Sequence, residues 1–280
     1  MIKAVFFDID GTLLSSESRI LPSTIRAVEK LHQQGIICGI ASGRGPSTII
    51  DLTKGIPMDC YVLYNGQLVF SHTKGIYEHP FSKELLQKLA AFGDSEERQM
   101  SFGGRKRYYG SMSMRIGQRK LIKKLYQTLP KSISITELNK LLKQKNIVPK
   151  RETFFEQLPI LSVPIYQCVL LSPESEQPRL EALFPECTFT RSNPYSVDII
   201  EKGSSKLVGI KAAAEYYGID TTEIAVFGDN WNDVEMLAGA GIGVAMGNAP
   251  DAVKEAADFV TLTNDYHGID YALKELKIIR

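Results

Sequence analysis

Short apolar runs punctuate the chain at residues 4–7, 36–41, 61–63, 224–227 and 242–246, and each ends on polar or glycine residues. Between them lie segments whose apolar positions recur at helical spacing, predicting helices over 22–34, 46–54, 204–217, 231–238 and 250–257. Runs that are apolar on both faces and alternate with helices belong to parallel strands buried between two helical layers. The pattern therefore predicts an α/β fold with a doubly wound parallel sheet. No internal repeat or low-complexity linker interrupts it.

The middle of the chain has another rhythm. Asn65-Gly66, flanked by 61–64 and 68–70, is a strong hairpin signal. From about Phe81 to Arg191 the alternation is mixed, with helices predicted over 82–92 and 118–128 and a lysine-rich stretch over 138–151. Basic residues outnumber acidic ones between Arg98 and Arg151. Solvated helix faces explain such a run, and so does a positive lid that attracts an anionic substrate. No nucleic-acid motif accompanies the charge.

Composition narrows the class. With 280 residues, 44% hydrophobic and 23% charged, the chain has room for one large domain or two modest ones. A net charge of +1 argues against a nucleic-acid coat. No stretch reaches the roughly 18 apolar residues needed to cross a bilayer. Asp8 and Asp10 interrupt the apolar start, and no small-residue cleavage site follows, so it does not read as a signal peptide. Cys38, Cys60, Cys168 and Cys187 stand singly among apolar neighbours, the pattern of buried free thiols in a reducing cytosol.

Chemistry-capable residues collect where the apolar runs end. Asp8 and Asp10 follow Ala-Val-Phe-Phe, Ser42-Gly43-Arg44 follows Ile-Cys-Gly-Ile-Ala, and Gly228-Asp229 follows Ile-Ala-Val-Phe. Ligands of open parallel sheets bind outside the carboxyl ends of the strands, so neighbouring runs would deliver these groups to one edge. At i and i+2 of an extended segment, Asp8 and Asp10 would face one site, where a cation has to separate their charges. With Asp229 and Asp233 they form an oxygen-rich set that suits Mg²⁺. Four histidines, none in a ligand-spaced pair, make zinc a poor fit. A carboxylate can also attack phosphorus, a role open to Asp8, while Asp10 is placed to move protons. Ser42 either offers its hydroxyl to an anion or caps the turn before Pro46. Lys206 sits in the first turn of its helix, where a cation opposes the dipole, and an anionic partner accounts for that. Asn232 and Asp233 either hold phosphate and water or cap the next helix.

Together, DIDGT, Ser42, Lys206 and GDNWND resemble, in this order, the four motifs of the haloacid dehalogenase-like hydrolases. Asn65-Gly66 and Gly247-Asn248-Ala249 resemble the Cof-type branch of phosphatases. The resemblance implies a Rossmann-like core over 1–81 and 191–280 and a smaller α/β cap over 82–190 that closes on the phosphoryl site. It implies Asp8 as nucleophile and Asp10 as general acid/base. Mg²⁺ would sit on Asp8, Asp229 and the backbone carbonyl of Asp10. Ile9 (through its backbone), Ser42, Gly43, Lys206 and Asn232 would hold the phosphoryl group, with Asp233 orienting Asp229. Dehalogenases lack an aspartate at the position of Asp10, so its presence favours phosphatases and phosphomutases. Arg44, Arg191 and Asn193 are candidate substrate contacts, although Arg44 could instead pair with a carboxylate and the other two could serve a polar linker.

The expected enzyme is a cytoplasmic Mg²⁺-dependent phosphatase of small phosphorylated metabolites, with sugar phosphates and phosphorylated cofactors both open. It needs neither nucleic acid nor membrane, and monomer and homodimer are equally compatible with the sequence. A sugar phosphomutase and a non-catalytic metabolite sensor on the same fold are the alternatives.

Overall fold

The computed structural model describes residues 1–53, 55–72, 74–110 and 154–279. The chain forms two compact units, Met1–His79 with Gly203–Arg280, and Pro80–Lys202. The helix predicted over 118–128 and the lysine-rich stretch over 138–151 lie outside the described residues.

In the first unit, β1 (Ala4–Phe7) sits between β2 (Ile37–Ala41) and β11 (Ile224–Gly228), parallel to both. The ladder continues through β3 (Cys60–Leu63), β4 (Leu68–Ser71) and β5 (Gly75–Glu78) on one side. On the other side follow β12 (Ile242–Ala245) and β13 (Phe259–Val260). Pairing is parallel from β13 through β3, while β4 and β5 return antiparallel.

Side chains alternate across the sheet, and each face acquires its own core. Val5 and Phe7 of β1 meet Ala27, Val28 and Leu31 of helix Pro22–Gln33 and Ile269, Ala272 and Leu273 of helix Gly268–Glu275. Ala4 and Phe6 face Leu207, Ile210 and Ala213 of helix Lys206–Tyr217, together with Met236 and Leu237 of helix Val234–Gly239. The expected doubly wound sheet is therefore present. The helix expected over 231–238 is broken, because Trp231–Asp233 winds as a 3-10 turn before helix Val234–Gly239 begins.

Described strands of the second unit form an antiparallel sheet in the order β7 (Tyr108–Gly110), β6 (Met100–Gly104), β8 (Ile165–Leu171), β10 (Ser196–Glu201), β9 (Cys187–Asn193). Its core gathers Leu85, Leu86 and Leu89 of helix Lys83–Ser95 against Phe102, Phe155, Cys168 and Ile199. The unit runs to Lys202 rather than stopping at residue 190, because β10 pairs with β8 as well as with β9. A boundary at 190 would cut through β9.

Candidate active site

Equal register aligns the carboxyl ends of three strands. Phe7 lies opposite both Ile40 and Phe227, so the residues that follow them emerge at one level. The amide of Asp8 donates to the carbonyl of Phe227 at 2.9 Å, and that of Ser42 donates to Val62 at 2.8 Å. Asp8, Ser42 and Asp229 thus stand on the same edge of the sheet, and Lys206 reaches it from the first turn of its helix.

Lys206 is the hub. Its side chain is buried, and Nζ donates to Asp8 at 2.6 Å and to Asp233 at 2.5 Å. Burial works against its charge, but the carboxylates of Asp233 and Asp8 outweigh burial and hold the ammonium more firmly than in water. Asp233 spends its second oxygen on the backbone N–H groups of Asp229 and Asn230, both at 2.9 Å. A fully buried carboxylate thereby shapes the loop that presents Asp229.

One oxygen from each of Asp8, Asp229 and Asp233 lies within 4.8 Å of the others. With all three carboxylates ionised against one ammonium, the cluster would carry two excess negative charges. Burial pushes the Asp8 carboxyl well above its usual range, with Asp233 and Asp229 adding to the effect and Lys206 opposing it. Burial and the charge of Asp233 likewise raise Asp229 to about 7. The donor set is all oxygen and the excess charge is that of a divalent cation, so the residues fit such a metal. Asp233 is fully buried, with one oxygen on Lys206 and the other on two backbone N–H groups, whereas Asp229 is only half-buried and, with Asp8, is the better carboxylate ligand.

Thr12 and Asn248 hold Asp229 from two sides. Thr12 Oγ1 donates to Oδ1 at 3.0 Å, while Asn248 Nδ2 reaches Oδ2 at 3.3 Å and the carbonyl of Gly11 at 2.9 Å. Gly11 makes this packing possible. Its φ is +86°, and a Cβ there would lie 2.2 Å from Asp229 Oδ2. Gly11→Ala is expected to cost roughly 1–2 kcal/mol of stability from the left-handed backbone alone. It should also displace Asp229, so the metal concentration for half-maximal activity rises; urea unfolding and metal titration measure the two effects.

Asp10 departs from the expected arrangement. Residues 8–10 were expected to be extended, with both carboxylates facing one site. Instead the chain turns after Phe7, with Leu13 N–H bonded to Asp8 O and Leu14 N–H to Ile9 O. Ile9 is buried in the core, and the exposed Asp10 carboxylate accepts two bonds from Arg44, each at 2.6 Å. Arg44 is therefore a carboxylate partner in this structure.

The hydroxyl of Ser42 does not cap helix Pro46–Leu52, whose N-cap is Gly45; it accepts the N–H of Arg44 at 3.2 Å. Asn65 joins two of the expected phosphate ligands: its N–H donates to Ser42 O, and its Oδ1 accepts from Asn232 Nδ2, both at 3.1 Å. Gly43 lies between these contacts in the chain. Asn65 itself is buried, with a φ of +52°.

Arg191 and Asn193 belong to the second unit and are used within it. Arg191 donates to the Gln177 side chain and to the carbonyls of Ser172 and Pro173 at 2.7–3.1 Å. Asn193 caps the β9–β10 turn through Tyr195 N–H and Ser196 N–H. Both serve the fold of that unit.

Thr12, Asn65 and Asn248 are the residues whose site contacts sequence reasoning does not assign. At Thr12 the sequence signals only a turn. The other two stand in segments marked by their resemblance to one branch of the family.

Residues 5–273 match the family of haloacid dehalogenase-like hydrolases. The Bacillus subtilis protein YkrA is 31% identical over 278 residues, which cover 99% of each chain. The phosphatase YwpJ of the same organism is 26% identical over 98% of this chain and 100% of its own. Among solved structures, the subclass IIB sugar phosphatase BT4131 aligns with a TM-score of 0.79 at 31% identity, covering 99% of this chain and 100% of its own.

Proposed function

The chain belongs to the haloacid dehalogenase-like hydrolases, and from that premise we propose that this phosphatase hydrolyses phosphate monoesters of small metabolites, sugar phosphates first, through an aspartyl-phosphate on Asp8. The observation that carries this reading is the Lys206 bridge. It fixes a buried carboxylate at the end of the central strand and opposes the burial that would protonate it. An oxygen of Asp8 attacks phosphorus, and the bond from phosphorus to the alkoxide breaks. Asp10 exchanges its pairing with Arg44 for a proton from solvent as substrate enters, and gives that proton to the leaving oxygen. It then takes a proton from the water that hydrolyses the intermediate. Ile9 and Gly43 through their backbones, with Ser42, Lys206 and Asn232, hold the phosphoryl oxygens; Asp233 keeps Lys206 and the Asp229 loop in place. Mg²⁺ would be held by Asp8, Asp229 and the carbonyl of Asp10, and when bound it supplies charge neutralisation at the transferring group. Sugar phosphates take precedence because BT4131 is a sugar phosphatase.

A phosphate-release screen over sugar phosphates and phosphorylated cofactors, with and without chelator, tests the proposal. Release that needs Mg²⁺ is expected; activity indifferent to chelation would overturn the metal assignment, and phosphoryl transfer between sugars without release would favour a mutase.

Metal binding should also depend on pH in a defined direction. Without metal, the raised Asp229 carboxyl keeps its proton more tightly in the folded than in the unfolded chain. Its contribution to stability is present at acid pH and lost as pH rises through about 7. Protons and metal compete for the same oxygens. The thermal midpoint gained on adding excess Mg²⁺ should be larger at about pH 8 than at about pH 5.5.

A further inference from the structure

The opposite edge of the same sheet carries another convergence of ligating side chains. His32 lies in the last turn of helix Pro22–Gln33, Cys38 is the second residue of β2, and Asp59 immediately precedes β3. Three separate segments therefore bring an imidazole, a thiol and a carboxylate together, and one donor atom from each lies within 4.8 Å of the others. His32 Nε2 is 2.9 Å from Asp59 Oδ2, which also accepts the backbone N–H of Cys38 at 2.8 Å. The thiol is fully buried and donates to the carbonyl of Ile36 at a long 3.7 Å. Beside the cluster opens a cavity of about 380 Å³ lined by His32, Asp59, His72, Tyr216 and Tyr217. The Tyr217 hydroxyl donates to Asp59 O at 3.1 Å and braces the loop from behind.

We propose that His32 Nε2, Cys38 Sγ and a carboxylate oxygen of Asp59 form a second metal site, for a borderline-soft divalent ion of the zinc class. Nitrogen, sulfur and oxygen donors together are the set such ions take, whereas Mg²⁺ and Ca²⁺ take oxygen alone. Three protein ligands leave one position open toward the cavity, which also supplies the path of entry. Burial, with the charge of Asp59 added, pushes the Cys38 thiol up, so the empty site holds a protonated sulfur. On binding, the hydrogen that Nε2 shares with Asp59 shifts to Nδ1, which frees the Nε2 lone pair for the ion; the carboxylate stays ionised, and the thiol releases one proton to solvent. The bound ion ties the end of a helix to the starts of β2 and β3. Local spacing does not reveal it, because its ligands are contributed by different elements.

Co²⁺ added to the full-length protein, with Mg²⁺ in excess to occupy the all-oxygen cluster, tests the proposal. Expected is a sulfur-to-cobalt charge-transfer band in the near ultraviolet that Zn²⁺ bleaches at one equivalent. Cys38→Ser should abolish the band. Because that change is in the core, His32→Gln and Asp59→Asn give an independent reading. An amide at position 59 still accepts the Cys38 N–H, so the fold is kept while an anionic ligand is lost. Each should weaken Co²⁺ binding by at least about tenfold. The absence of a sulfur band in the wild-type protein at large Co²⁺ excess overturns the site. So does a band that both His32→Gln and Asp59→Asn leave intact, and Asp59 would then be only a cap for β2 and His32.

Discussion

Asp8→Asn should lower phosphate release by on the order of 10⁴-fold or more while the protein folds as well as before. An amide cannot form the covalent phosphate, so no residual route through position 8 exists. Its carbonyl oxygen can still accept from Lys206, so the 2.6 Å contact keeps an acceptor. The substitution also removes one negative charge from a place where burial, Asp233 and Asp229 all disfavour it. The urea midpoint of the metal-free variant should therefore equal or exceed that of the wild-type chain. Appreciable turnover by this variant would end the assignment of Asp8 as nucleophile.

Lys206→Met has the opposite profile, because it strikes the fold and the chemistry together. Methionine matches the volume but leaves Asp8 and the fully buried Asp233 without their cation. Breaking a buried pair by removing one partner costs about 3–5 kcal/mol. Loss of positive charge at the transferring group should cost a further 10²–10³-fold or so in kcat. The stability defect should shrink on acidification, since protonated carboxylates no longer need the ammonium. Unfolding curves at several pH values, run beside single-turnover kinetics, separate the two effects. A variant as stable as wild type at neutral pH would show that the bridge does not hold the site together.

What could be read from the sequence depended on how local the governing physics was. Asp8 and Asp229 were legible because each directly follows an apolar run, and the parallel register then puts both on one edge. Lys206 was legible from an unfavourable first-turn position that only a negative partner explains; the partners are Asp8 and Asp233. The pairing of the Asp10 carboxylate with Arg44 was not legible, because the i, i+2 rule presumes extended backbone and the chain has already turned there. The contacts of Thr12 and Asn248 with Asp229 join positions 217 and 19 residues apart, and that of Asn65 with Asn232 spans 167. No periodicity encodes such distances. The end of the second unit was missed for a related reason. Polar residues around Arg191 look like a linker, yet they lie on a strand whose hairpin partner pairs back to β8.

The order of strands sets when this enzyme can first exist. β1 leaves the ribosome more than 200 residues before β11, one of its two neighbours, and the residues gathered around Asp8 are Lys206, Asp229 and Asp233. At about 5–20 residues per second, the gap between β1 and β11 takes roughly 10–45 s to synthesise. Throughout that interval the apolar flank of β1 lacks its partner, and Asp8 stands with neither Lys206 nor the other two carboxylates. The cluster around Asp8 therefore cannot assemble before residue 233 has been made, however well the preceding strands have collapsed.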